Sequence, residues 1–313
     1  MYILGIDIGG TFTRTGFIDS NYNVYNFRKI ETKEVISDNY GIDKFLNMID
    51  VVIKENQLFD KSFESLKAIS IGVPATINKE KNKIISATYL HSLENVDLVE
   101  VIKSKFGNIE VFLEKDVNFL LYKDMYDMQL YDYPIVCGVY FGTGIGNSIY
   151  INNEFISGKH GTAGELGHIP VYGNDRVCGC GNIGCIESKA SGKALQYIND
   201  EKYKDSDISE IFNNYNEDEE LKDFIDVLSM AVATEVNILD PDIFIFGGGL
   251  QDMNNFPRKE LEECIYKHSR KPYPGKDITI LYTGNTQMSG VIGGGIYAFD
   301  KLKNNKIANN KLK

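Results

Sequence analysis

Hydrophobic residues in this chain fall into short runs that end at a glycine or a polar residue, and such runs predict buried β-strands. In the first part of the chain the pattern predicts strands over 2–7, 13–18, 24–28, 68–73 and 110–113, and helices over 42–54 and from Asp116 onward. Further along it predicts strands over 135–140, 148–151 and 243–246, and helices near 192–198, 208–212, 221–238 and after Gly290. Strands that alternate with helices are typical of an α/β fold.

The strand pattern restarts at Ile135, after the helix that begins near Asp116. Both halves open with an apolar strand and a glycine-rich turn, which predicts two α/β lobes with a ligand-binding cleft between them. We expect residues 1–117 and 298–313 to form a small N-terminal lobe. Residues 118–297 then form a large C-terminal lobe, which contains a glycine- and cysteine-rich loop at 164–187.

Composition excludes several classes of protein. The chain of 313 residues is 43% hydrophobic and 25% charged, as globular proteins are and disordered or fibrous ones are not. Its formal net charge of −11 argues against binding to nucleic acid or to an anionic membrane. No apolar run approaches the ~20 residues that cross a bilayer, and the first residues lack the basic region and cleavage site of a signal peptide. We therefore expect a cytoplasmic protein.

A glycine-rich turn follows the first predicted strand. Asp7 closes that strand, and Gly9, Gly10, Thr11 and Thr13 come next. Glycines let backbone N–H groups approach a phosphate closely, and an aspartate at the end of a strand can hold Mg²⁺ through water. A hairpin turn whose aspartate bonds its own backbone explains a single motif of this kind equally well.

Two further turns repeat this arrangement, although none has the spacing of a Walker A or Rossmann motif. Gly142, Thr143 and Gly144 follow the strand that opens the second half, and the run 247–249 consists of Gly247, Gly248 and Gly249. Three glycine turns at strand ends, spread over two lobes, favour a site that clamps a nucleotide.

Three cysteines and a histidine lie close together in the sequence, as His168, Cys178, Cys180 and Cys185. The glycines between them let the loop curl around an ion. Three thiolates and an imidazole suit tetrahedral Zn²⁺, and four protein ligands are typical of a structural site. Free thiols are the alternative, which such close spacing in a cytoplasmic protein disfavours.

Five motifs together are similar to those of the ROK family of sugar kinases, within the actin-like ATPase superfamily. They are DIGGT at 7–11, GTGIG at 142–146, GELGH at 164–168, CGCGNIGCIES at 178–188 and FGGG at 246–249. The resemblance covers almost the whole chain. It implies a two-lobed, ribonuclease H-like fold, ATP with Mg²⁺, one structural Zn²⁺ on the cysteine–histidine set, and a homodimer or higher homo-oligomer.

The resemblance also implies roles for individual residues. Asp116 corresponds to the general base that takes the proton of the sugar's 6-hydroxyl, and Glu165, His168 and Glu187 correspond to residues that bind the sugar. Weaker candidates for the sugar pocket are Asn118 and Thr88. From position alone, Asp116 would be interpreted as a charge at the start of a helix, and either glutamate as a solvated loop residue.

Two positions depart from the pattern of glucose-specific members. Lys115 stands where most have Asn before the catalytic Asp, and Ala75 where most have Gly after the G-x-P turn. Here, and over 72–86, 114–121, 158–170 and 239–257, the chain is similar to the D-allose kinases of the family. Allose differs from glucose at the 3-hydroxyl, which that Asn helps to recognise. We therefore expect phosphorylation of D-allose to D-allose 6-phosphate, with Lys115 and Ala75 at the sugar.

Other functions remain open on the sequence. A related kinase for glucose, N-acetylmannosamine or N-acetylglucosamine fits the same motifs, and a catalytically silent sugar sensor fits them less well. A transcriptional regulator of the family needs a helix-turn-helix of roughly 60–80 residues ahead of the core, whereas DIGGT begins here at residue 7. The sugar-binding glutamates and the cysteine loop argue against a filament or chaperone ATPase.

Overall fold

The computed structural model describes residues 1–36, 41–56, 65–87, 90–107, 109–204, 206–284 and 286–311, with 305–311 described by backbone alone. The strands are β1 (Tyr2–Ile8), β2 (Phe12–Ile18), β3 (Val24–Glu31), β4 (Leu66–Val73), β5 (Thr76–Ile77), β6 (Ile84–Ser86), β7 (Glu110–Lys115), β8 (Ile135–Phe141), β9 (Ile145–Ile151), β10 (Glu154–Phe155), β11 (Ile243–Gly247) and β12 (Ile280–Tyr282). The helices are α1 (Thr32–Val35), α2 (Gly41–Lys54), α3 (Leu98–Phe106), α4 (Asp116–Asp127), α5 (Gly192–Lys202), α6 (Ile211–Tyr215), α7 (Glu219–Leu239), α8 (Arg258–His268) and α9 (Ser289–Lys311). The chain divides into two compact units. Unit 1 comprises Met1–Gln129, Ser157–Ala163 and Thr286–Lys313, and unit 2 comprises Leu130–Ile156 and Gly164–Asn285.

Unit 1 is built on a five-stranded sheet in the order β3-β2-β1-β4-β7. The pairs β3–β2 and β2–β1 are antiparallel, whereas β1–β4 and β4–β7 are parallel. Side chains alternate between the two faces of a strand. Leu4 and Ile6 accordingly pack in one core with Phe45 of α2, while Ile3 packs in another with Val291 of α9. Both faces of the sheet are therefore covered, as the nearly continuous burial of β4 requires.

Unit 2 repeats this design with a five-stranded sheet in the order β10-β9-β8-β11-β12. Again the first three strands are antiparallel, and β8, β11 and β12 are parallel. Phe141 of β8 and Phe244 and Phe246 of β11 form the core with apolar residues of α7, including Phe224 and Leu228. The repetition of one sheet order in both units is the two-lobed α/β architecture that the sequence predicts.

The units divide the chain at other points than we predicted. The expected boundary at residue 117 falls inside α4, and the expected return at residue 298 falls inside α9. Both helices lie wholly in unit 1 because they pack against each other, and because α9 also packs on β1 and β4. The short segment Ser157–Ala163 likewise belongs to unit 1, although it lies in the sequence between strands and loops of unit 2.

None of the helices in the described part of the chain combines the length and the apolar character needed to cross a membrane.

Candidate active site

Three parallel strands of unit 1 end side by side and carry or precede predicted site residues. Asp7 of β1 lies opposite Gly72 of β4, and Gly72 lies opposite Glu114 of β7. Asp116 follows directly as the first residue of α4. Ligands of open α/β sheets bind at the carboxyl ends of parallel strands, so this edge of the sheet is a candidate binding site.

Asp7 and Asp116 influence each other electrostatically at this edge. Burial raises the pKa of Asp7 to about 7; the negative charge of Asp116 acts in the same direction, and Arg14 acts in the opposite one. Nη1 of Arg14 lies 3.7 Å from Oδ2 of Asp7. A buried carboxyl group beside a second carboxylate binds a cation favourably. The cation offsets the cost of burying the negative charge and the repulsion between Asp7 and Asp116.

Two hydrogen bonds of Gly9 hold the first glycine turn in place. The N–H of Gly9 donates to the carbonyl of Phe12 (2.9 Å), and the hydroxyl of Thr32 donates to the carbonyl of Gly9 (2.7 Å). Gly10 and Thr11 are exposed at the tip. Thr13, in contrast, is fully buried with its hydroxyl 3.1 Å from that of Thr32. Its side chain supports the turn and is not presented to a phosphate, which differs from our prediction.

Asp116 stands at the start of α4, with Oδ1 accepting from the N–H of Val117 at 2.9 Å. Lys115, the N-cap of this helix, lies opposite Val73 in the ladder between β7 and β4. Since Ala75 follows Val73 by two residues, the two departures from the glucose-specific pattern occur at one place in the fold.

The remaining sugar-pocket candidates in unit 1 differ in what the structure assigns to them. Asn118 is buried, and its amide donates to Oε1 of Glu114 at 2.8 Å. That contact gives it a role inside the protein, at the first turn of α4. Thr88 lies outside the described residues.

In unit 2 the other two glycine turns lie at adjacent strand ends. Gly247 of β11 pairs with Tyr140 of β8, so the turns that follow these parallel strands emerge side by side. Gly248 has a φ of +95°, and a Cβ there would lie 2.5 Å from the carbonyl oxygen of Phe141. Only glycine fits so close to the neighbouring strand, which explains the residue type at this position.

Glu187 connects the turn at 142–146 to the GELGH segment. Its Oε2 accepts from the N–H of Ile145 at 2.9 Å. A Cβ on Gly144 would lie 2.2 Å from Oε2, and one on Gly167 would lie 3.3 Å from it. The structure thus brings together three motifs that the sequence places far apart, with the Glu187 carboxylate among them.

Glu165 is the N-cap of a short 3₁₀ turn, Leu166–His168, and His168 is the last residue of that turn. Nε2 of His168 lies 3.8 Å from Oε2 of Glu165, and the carboxylate is exposed. The other ring nitrogen, Nδ1, lies 3.6 Å from Sγ of Cys178. The imidazole therefore faces the cysteine cluster with one nitrogen and the predicted sugar-binding carboxylate with the other.

The predicted metal ligands converge. The ligand atoms of His168, Cys178, Cys180 and Cys185 all lie within 4.8 Å of one another, and the Sγ atoms of Cys180 and Cys185 are 3.6 Å apart. A tetrahedral zinc site with Zn–S bonds of ~2.3 Å separates its sulfurs by ~3.8 Å. Burial raises the pKa of the Cys185 thiol to about 12, so its thiolate form needs a cation nearby. In donor type and spacing the set fits Zn²⁺.

Three charged residues at the unit 1 edge were not singled out from the sequence: Arg14, Lys81 and Glu114. A signal existed for Glu114, because a carboxylate directly after the apolar run 111–113 is unusual for a buried parallel strand. Lys81 and Arg14 gave no such signal, since either could equally have been a solvated surface charge.

The model of the ROK family matches residues 3–301. This chain belongs to the ROK family. It is 28% identical to the N-acetyl-D-glucosamine kinase of Histophilus somni (strain 129Pt) over 267 residues, which are 80% of this chain and 84% of that kinase.

Solved structures of the family share the fold. A ROK family glucokinase from Streptomyces griseus, in complex with glucose and AMPPNP, has a TM-score of 0.74 at 20% identity and covers 94% of this chain and 98% of its own. A ROK hexokinase from Thermus thermophilus has a TM-score of 0.74 at 20% identity, with coverage of 97% and 100%. They confirm the predicted actin-like α/β fold class. The relatives named here are sugar kinases, and none is named for D-allose.

Replacing Asp7 with Asn should stabilise the protein in a pH-dependent way. Between pH ~4 and ~7 the unfolded chain loses a proton that the folded Asp7 retains, so the wild type loses stability as pH rises through this window. We expect Asp7→Asn to gain roughly 2–4 kcal/mol at pH 8 and progressively less toward pH 5.

Urea unfolding in buffer with a chelator, at pH 5, 6, 7 and 8, measures this effect. Asp43→Asn, on the exposed face of α2, controls for the loss of one negative charge. If Asp7→Asn is not more stable than the wild type, or if its gain in stability does not change with pH, the raised pKa of Asp7 is contradicted.

Proposed function

We propose that this protein transfers the γ-phosphoryl group of ATP to the 6-hydroxyl of a hexose. The observation that carries the proposal is the pair of carboxylates at the end of the unit 1 sheet. Asp7 lies beside a glycine turn, and Asp116 is close enough to it to raise its pKa. One carboxylate near phosphates and a second near a hydroxyl are what phosphoryl transfer to a sugar requires.

In this proposal Asp116 is the general base. Its carboxylate accepts the proton of the 6-hydroxyl as that oxygen bonds to the γ-phosphorus, and the bond between phosphorus and the bridging oxygen of ADP breaks. Asp7 would hold Mg²⁺, which neutralises phosphate charge when it is bound with ATP. The exposed Gly10 and Thr11 offer backbone N–H groups and a hydroxyl to phosphate oxygens.

In this proposal unit 2 carries binding groups of its own. The adjacent turns at 142–144 and 247–249 would contact the nucleotide. Glu165, His168 and Glu187 would bind the sugar. With Nδ1 on the metal, Nε2 of His168 would carry a proton and would donate to a sugar oxygen, while the carboxylates would accept from hydroxyls.

Zn²⁺ fits the cysteine–histidine set and would be structural. Bound by His168, Cys178, Cys180 and Cys185, it would hold the loop and fix the tautomer and direction of the imidazole. All four ligands come from protein, so we assign it no part in the chemistry at phosphorus.

For the substrate we propose D-allose. Support comes from Lys115 and Ala75, which replace the family's usual Asn and Gly and lie near each other through the pairing of Lys115 with Val73. An ammonium group recognises an axial hydroxyl by a different geometry than an amide recognises an equatorial one. N-acetylglucosamine and glucose, for which the relatives are named, are the competing substrates.

A panel of sugars tests the function. Purified protein with Mg²⁺ and ATP should consume ATP in the presence of a hexose, and D-allose should give the highest kcat/KM among D-allose, D-glucose, D-mannose, N-acetylmannosamine and N-acetylglucosamine. A preference for another sugar overturns the D-allose assignment alone. Absence of turnover with every sugar overturns the kinase proposal.

Replacing Asp116 with Asn tests the base. We expect kcat to fall by about 10²–10⁴-fold because a general base contributes that much, while calorimetric binding of the sugar persists. Asp127→Asn, at the exposed end of the same helix, is the matched control and should retain turnover. An Asp116→Asn enzyme with normal kcat excludes Asp116 as the base.

Metal analysis tests the zinc site. Protein purified without chelators should contain about one zinc per chain, and Cys178→Ser should lose it. Cys264→Ser, on α8 and outside the cluster, should retain the metal. Wild-type protein that is free of zinc, or a Cys178→Ser protein with full zinc content, contradicts this assignment.

A further inference from the structure

A buried carboxylate that the proposed mechanism does not use lies two residues before Asp116. The side chain of Glu114 is 1% exposed, near the end of β7. An ionised carboxylate in such a place is strongly destabilising unless it is paired and hydrogen-bonded. The partners of Glu114 therefore indicate the role of its charge.

Both oxygens of Glu114 are engaged, and on different sides. Oε2 pairs with the ammonium group of Lys81. Oε1 accepts from the backbone N–H of Lys115 at 2.9 Å and from the amide of Asn118 at 2.8 Å. Of these donors, Lys115 directly precedes Asp116 and Asn118 follows it by two residues, so Glu114 fastens the point at which β7 becomes α4.

Lys81 reaches Glu114 from a turn that internal hydrogen bonds hold. The turn joins β5 to β6, and the N–H of Lys81 donates to the carbonyl of Asn78 at 3.0 Å. Oδ1 of Asn78 accepts from the N–H groups of Asn82 (3.0 Å) and Lys83 (2.9 Å). The backbone of Lys81 has a φ of +54°, in the left-handed region. This conformation is uncommon for lysine, so the hydrogen bonds of the turn fix the backbone from which the side chain extends to Glu114.

The turn also belongs to the segment expected at the sugar, because β5 begins at Thr76, directly after Ala75. Lys81 and Glu114 therefore connect two chain segments far apart in sequence: the hairpin that follows Ala75, and the strand end that carries Lys115 and Asp116. Both segments lie in unit 1.

We propose that the Lys81–Glu114 ion pair is a positioning device that holds the Asp116 carboxylate in its productive place and joins it to the Ala75 hairpin. The inference rests on the function proposed above. Neither residue contacts the reacting atoms in this account, and each acts through the groups it holds. Breaking the pair leaves Glu114 without its cation and releases the Lys115 N–H and Asn118 from a fixed acceptor.

Steady-state kinetics of Lys81→Met, with kcat expressed per folded protein, test the proposal. A displacement of about 1 Å at a reacting group lowers a rate by up to about 100-fold, so we expect kcat to fall on the order of 10- to 100-fold while KM for ATP changes less than about twofold. Lys81→Arg, which retains the charge, should recover most of the rate. Lys79→Met changes an exposed lysine of the same turn and should behave as wild type.

A double-mutant cycle separates positioning from general damage. Glu114→Gln should lower kcat by itself, and Lys81→Met/Glu114→Gln should be no worse than the poorer single variant, because the pair acts as one unit. If Lys81→Met does not fold, Glu114→Gln and Lys81→Arg carry the test. The proposal is overturned if the two single losses of kcat multiply in the double variant, or if Lys81→Arg does not recover the rate. It is also overturned if Lys81→Met has the same kcat as Lys79→Met. A wild type that phosphorylates no hexose instead overturns the proposed function.

Discussion

The alignment of β1, β4 and β7 in unit 1 is the constraint on which the candidate site depends. Parallel pairing fixes Asp7, Gly72 and Glu114 in one row across the sheet, so the chain leaves all three strands at the same edge. The glycine turn, the Ala75 hairpin and the start of α4 follow from that edge. Unit 2 uses the same sheet order to bring the turns after β8 and β11 together. Backbone hydrogen bonds thus collect residues that are distant in sequence.

Burial of charge then gives this edge its chemical character. Hydrogen-bond donors and an ammonium group surround Glu114, whereas burial and the negative charge of Asp116 raise the pKa of Asp7 to about 7. The contacts of Glu114 hold the start of α4 in position, whereas the environment of Asp7 favours binding of a cation. Sites that bind and react commonly carry such unfavourable electrostatics, because the ligand relieves it. The same reasoning applies in unit 2, where four ligand atoms lie within 4.8 Å of one another.

Sequence reasoning succeeded where local patterns decide the structure. Apolar runs predicted the central strands, and glycine spacing predicted the three turns. It missed α3, whose polar face weakens the hydrophobic pattern, and the short strands β5, β6, β10 and β12, which tertiary pairing defines. It divided α4 and α9 between lobes, because helix packing decides to which unit they belong. Thr13 was predicted to face a phosphate and Glu114 was overlooked, because only the fold determines which way a polar side chain faces.

The most direct test of the account is the identity of the product. Phosphorus NMR of a reaction of the wild-type protein with ATP and its preferred hexose should show ADP and one hexose phosphate in equal amounts. The new phosphorus signal should be coupled to two protons, because the phosphate is on the primary 6-hydroxyl. A signal coupled to a single proton, or release of inorganic phosphate without any sugar phosphate, would contradict phosphoryl transfer to that hydroxyl.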